Sequence, residues 1–138
     1  MRMFHFGTMR TVEGGAVGEY ALHVQCPWRI ETADQIVTGR HDLFKPAEET
    51  EDFDWDSWDW DGNETLQDKL VAEFLTHVCP VVESVATDAH GGARLQLSRG
   101  YSLVLFPADS QGEDWRFFRP QQDGEHFVVS GGRVEEGA

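Results

Sequence analysis

The residues whose types and spacing could do chemistry are concentrated in one run, from Glu48 to Asp61. Eight of its fourteen residues are acidic and none is basic, and Phe53, Trp55, Trp58 and Trp60 are interleaved among them. Asp52-x-Asp54-x-Asp56 offers carboxylate oxygens at alternate positions, as a calcium loop does. The sixth position, however, is Ser57 where such a loop needs a glycine, and the twelfth is Asn63 where it needs a bidentate glutamate. A docking chemistry fits the residue types better. Asp52, Asp54, Asp56, Asp59 and Asp61 supply an electronegative surface for a basic partner, with Trp55, Trp58 and Trp60 as apolar anchors. The plain alternative is a solvated loop whose rings pack inward and whose charge keeps the chain dissolved.

Elsewhere the chemistry is thin. His23-x-x-Cys26 holds two potential metal ligands, and His5, His77, Cys79 and His126 are available to folding, but no CxxC pair, HxH pair or HExxH helix is present. No GxSxG elbow occurs, and Ser98-Arg99-Gly100 reads as a hairpin turn. The doublets Gly14-Gly15, Gly91-Gly92 and Gly131-Gly132 have no following helix to receive a phosphate, so they read as turns. No catalytic residue, metal site or cofactor is assigned. Cys26 and Cys79 are too few for a disulfide framework and are expected to be reduced and buried.

These residues must be positioned by one ordinary domain's worth of chain, 138 residues long and 40% hydrophobic. Against 11 Lys and Arg stand 25 Asp and Glu, a formal charge of −14. Such a balance excludes unaided binding to nucleic-acid phosphates and disfavours an anionic membrane surface. No apolar run approaches the ~20 residues of a spanning helix, and the N-terminus lacks the apolar stretch of a secretory signal. A soluble, cytoplasmic single domain over residues 1–138 is expected.

Periodicity divides the chain. Tyr20, Leu22, Val24 and Cys26 recur at period two, Trp28–Glu31 continues extended, and Gln35–Thr38 returns after a turn, as in an antiparallel meander. Leu66, Leu70, Val71, Phe74, Leu75 and Val78 recur at helical spacing, so one amphipathic helix is expected near 63–78. Thr65 with Asp68 resembles a capping box, and Pro80 ends the helix. Strand patterns resume from Val81 to Val129, and residues 135–138 form a polar tail. The expected fold is α+β: a predominantly antiparallel sheet of about eight short strands, with the helix packed on the strands of 81–130.

The order of an apolar strand, a Gly turn, Leu95-x-Leu97-Ser98-x-Gly100, Leu103-x-Leu105-Phe106-Pro107 and a closing His126-Phe127-Val128-Val129-x-Gly131-Gly132 resembles a group of small uncharacterised bacterial proteins of about this length. Leu22–Arg29, Asp54-Trp55-Asp56 and the start of the helix are similar to the same group. The resemblance brings no catalytic residue. Proteins of this look suggest immunity partners of secreted toxins, which agrees with the acidic run. The expected function is therefore a non-enzymatic acidic protein-binding module, of the immunity-inhibitor type, for a basic protein partner. The alternative is a small enzyme or ligand-binding domain with a pocket between helix and sheet, lined by Trp28, Trp115 and a histidine. The aromatic load (nine Phe, five Trp) exceeds what one helix can help cover, so a homodimer is expected, with loop 48–61 at its rim.

Overall fold

The computed structural model describes residues 1–135. The fold is α+β, with mostly antiparallel sheets and one α-helix. Among the described residues there are twelve short strands rather than about eight. Three of them, two of three residues and one of two, are too short to show an alternation in sequence. The chain forms two compact units.

The first unit comprises residues 1–27, 87–93 and the chain from 105 onward. Its sheet contains β1 (Arg2–Phe6), β4 (Tyr20–Val24), β10 (Glu113–Phe118), β11 (Phe127–Ser130) and β12 (Arg133–Val134), in the order β1-β4-β10-β11-β12. Between β1 and β4 lies a separate hairpin of β2 (Arg10–Val12) and β3 (Gly15–Val17), so Gly14 serves as a turn residue. One sheet face buries Phe4, Leu22, Val24, Trp115 and Val129, the side chains that the register sets abreast. The register slips between Glu113 and Trp115. At that bulge the Asp114 carbonyl accepts from both the Gln25 and Cys26 amides, and its buried carboxylate accepts from the Gly132 amide at 2.8 Å.

The second unit comprises residues 28–86 and 94–104. It is built on β5 (Trp28–Glu31), β6 (Ile36–Gly39), β7 (Val82–Thr87), β8 (Ala93–Leu97) and β9 (Ser102–Leu105), ordered β6-β5-β9-β8-β7. The strands of 81–130 are thus shared between two sheets, and so are β4 and β5 of the expected N-terminal meander.

The helix α1 spans Leu66–Val78. Thr65 caps it: its Oγ1 accepts from the Asp68 amide and the Asp68 carboxylate accepts from the Thr65 amide, both at 3.1 Å. Cys79 ends it in the left-handed region at φ 49°, one residue before Pro80. Instead of lying chiefly on the C-terminal strands, α1 packs against β6 and the 3-10 turn Arg40–Phe44, and Phe74 sets its ring 5.0 Å from that of Tyr101. Val71 and Phe74 are buried, but Leu75 is 49% exposed. A polar residue takes the remaining inner position. Gln67 is buried because its Nε2 donates to the carbonyls of Gly39 and Arg40 at 3.2 and 3.1 Å, tying helix to 3-10 turn.

No disulfide joins the cysteines among the described residues; Cys26 is buried as expected, whereas Cys79, at the helix end, is exposed. No helix among the described residues is long and apolar enough to cross a membrane. Of the tail expected at 135–138, residues 136–138 lie outside the described residues.

Candidate functional site

The acidic aromatic run is a loop between the 3-10 turn and α1, and its two ends are fastened together. Pro46 and Thr65 form an antiparallel bridge, the Leu66 amide donates to the Lys45 carbonyl at 2.8 Å, and the Ala47 amide donates to the Glu64 carbonyl at 3.2 Å. Across this neck Lys69 Nζ pairs with Glu48 Oε1 at 2.7 Å, and that bond and charge hold the lysine pKa above its usual range. A loop closed in this way by its own neck is an Ω-type excursion, carried on the surface by a fixed base.

Inside the loop, short aspartate-backbone bonds replace secondary structure. Asp54 Oδ1 accepts from the Asp56 amide, Asp59 Oδ1 from the Asp61 amide and Asn63 Oδ1 from the Asp59 amide, at 2.9 to 3.0 Å. The rings fall into two groups. Trp55 meets Phe53 and Trp58 edge-on, with centroids 4.9 and 6.0 Å away, while Trp60 meets Phe44 edge-on at 5.9 Å. All eight carboxylates of the run are exposed. Phe53 and Trp58 are half-buried, whereas Trp55 and Trp60 keep 52% and 46% of their surface in solvent. The expected site residues therefore separate. Asp52, Asp54, Asp56, Asp59, Asp61, Trp55 and Trp60 share the exposed surface of one loop. Trp58 turns its indole N–H inward, where it meets no acceptor among the described residues.

The proposed pocket between helix and sheet has a different lining from that expected. A solvent-open hollow of about 420 Å³ lies beside α1 and β6, bounded by Ile36, Leu70, Phe74, His77 and Tyr101. Trp28 is buried away from it, and Trp115 belongs to the other unit, where its indole N–H donates to the Gly91 carbonyl at 2.8 Å. Gln35, Glu73, His77 and Tyr101 are the polar residues on the hollow's wall.

One side-chain cluster in the first unit escaped the sequence. Arg116 grips Glu113 with two nitrogens, and its third reaches His126 Nδ1 at 2.8 Å. Gln25 Nε2 adds a 2.9 Å bond to the same carboxylate, and His23 Nδ1 stands 3.9 Å away. Hydrogen bonds from the Arg116 guanidinium, and then its charge, hold the Glu113 carboxyl below the usual range against the opposing effect of burial. A carboxylate so occupied is a weak proton acceptor, so the cluster reads as a clasp across β4, β10 and β11 rather than an acid–base pair. Residues three apart normally face opposite sides of a strand. The slip at Glu113/Trp115 brings Glu113 and Arg116 together.

Among the described residues, no group of three or more His, Cys, Asp or Glu is placed to hold a metal ion. No family model, curated protein or solved structure matches this chain.

Proposed function

We propose that loop 48–61 is a docking surface for a basic protein partner, and that the chain is a non-enzymatic binding module of the immunity-inhibitor type. The observation that carries this reading is the pairing of eight exposed carboxylates with two half-exposed indoles on a loop whose neck is closed. Surface tryptophans are costly in water and are favoured at the centres of interfaces, where they fill pockets while surrounding charge steers the encounter. Two cysteines outside any disulfide agree with a reducing compartment, and we place the module in the cytoplasm.

The test uses Arg- and Lys-rich peptides as probes and reads tryptophan fluorescence. Binding by the wild-type chain falls steeply between about 0.05 and 0.3 M salt, and replacing Asp54, Asp56, Asp59 and Asp61 together by Asn removes most of it. Unchanged affinity in that variant excludes the loop as the docking surface.

A further inference from the structure

Four strand edges close the two large sheets, and three of them are guarded. At β6 the helix α1 and the 3-10 turn pack alongside. The β12 edge is two residues long, and β1 carries Arg2 and His5, with only Met3 among its five residues exposed. Natural proteins blunt sheet edges by these same devices: cover, shortness and charge. The fourth edge, β7, is neither covered nor short and carries a single charge. All its residues but the half-buried Val82 are exposed, its only charge is Glu83, and it contains no proline. Val81 and Val85 expose 64% and 58% of their surface.

The strand is also held ready for pairing. At one end the Ser98 amide donates to the Val81 carbonyl and the Val81 amide to Ser98 Oγ, at 2.8 and 3.0 Å. At the other end Asp88 Oδ1 accepts from the amides of His90 and Gly92, at 2.8 and 2.9 Å, fixing the turn into β8. These amides hold the Asp88 carboxyl ionised below the usual range.

We propose that β7 pairs antiparallel with β7 of a second copy of this chain, about a two-fold axis through Val85. That register sets Val85 against Val85, Ser84 against Ala86 and Glu83 against Thr87, so no like charges meet. An axis at Ser84 would instead set the Glu83 carboxylate against Val85. Charge also selects this edge for a second acidic chain. The acidic loop is anchored on elements that pack at β6, four strand spacings from β7, or ~19 Å at ~4.8 Å per spacing. That distance exceeds the ~8 Å Debye length at physiological salt, so repulsion between the two loops is screened at this edge. The inference is independent of what the loop binds.

Sedimentation equilibrium of the full chain in ~0.15 M salt tests it. The wild type shows a mass of two chains at about 100 μM and dissociates on dilution, and the amides of 82–87 exchange hydrogen more slowly at the higher concentration. Val85→Lys puts ammonium groups opposite one another across the axis and weakens the dimer at least about tenfold, with an unchanged thermal midpoint at dilutions where both chains are monomeric. Met3→Lys, on the β1 edge, leaves the dimer intact. A wild-type mass of one chain throughout, which would leave β7 for a strand of a different protein, overturns the proposal. So does a Val85→Lys variant that dimerises as tightly as the wild type, loss of the dimer in Met3→Lys, or exchange at 82–87 that ignores concentration.

Discussion

Phe74 is the position at which the packing of α1 can be tested most sharply. Its ring is buried, lies edge-on to Tyr101 with centroids 5.0 Å apart, and sits over β6 on the inner side of the helix. Emptying a buried phenylalanine site to alanine costs about 3–5 kcal/mol, the spread reflecting how far the surroundings can relax. Here the ring also borders the open hollow of about 420 Å³, so water can enter the vacated volume and limit the cavity penalty. The expected cost of Phe74→Ala is therefore at the lower end, ~3 kcal/mol. For a chain of this length that lowers the thermal midpoint by ~10 °C. Urea denaturation followed by far-ultraviolet circular dichroism measures the change directly. In a double-mutant cycle with Tyr101→Leu, the ring pair should show a coupling of roughly 0.5–1.5 kcal/mol. A loss below about 1 kcal/mol for Phe74→Ala, or no coupling to Tyr101, would refute the placement of the helix.

Thr65→Ala removes the bond that Oγ1 accepts from the Asp68 amide, while the residue-65 amide keeps the Asp68 carboxylate, and should cost ~1 kcal/mol by the same denaturation assay. Glu113→Gln tests the clasp through its pH dependence. The folded pKa of Glu113 is depressed, so its stabilisation is complete above the unfolded value of 4.5 and is lost as the pH falls through the folded one. The stability gap between wild type and Glu113→Gln should be widest near neutral pH and narrow steadily below 4.5; a gap that widens on acidification contradicts the assignment.

The sequence revealed local structure far better than partnership between distant segments. The capping box could be read because Thr65 and Asp68 are three residues apart, and the helix because Leu70, Val71 and Phe74 recur on one side. Gln67 and Leu75 broke the pattern. A polar side chain can be buried if two carbonyls some twenty-seven residues earlier are waiting for it, and nothing in the stripe announces that. The strands were visible wherever alternation ran for four residues or more, as in Tyr20–Val24. Their division between two sheets was not, because β10 pairs with β4, more than ninety residues away. The clasp of His23, Glu113, Arg116 and His126 depends on a one-residue slip between β10 and β11, and so had no signal in the spacing. Of the candidate site, composition alone marked the loop and its outward carboxylates. Which indoles stay in solvent was decided by ring contacts: Trp58 turned in, Trp55 and Trp60 left half-exposed.

The central claim is that loop 48–61 binds by indole anchors as well as by charge, and one titration separates the two. Two peptides of equal positive charge serve as probes, one with leucines between its basic residues and one with glycines. Both are titrated into the wild-type chain and into a Trp55→Ala/Trp60→Ala variant that keeps every carboxylate. The account predicts that the wild type prefers the leucine peptide by at least about tenfold, the scale of one interface anchor worth over 1 kcal/mol, and that the variant loses this preference. Equal affinity of the wild-type chain for both peptides would contradict it, leaving the run as a charged, solubilising loop.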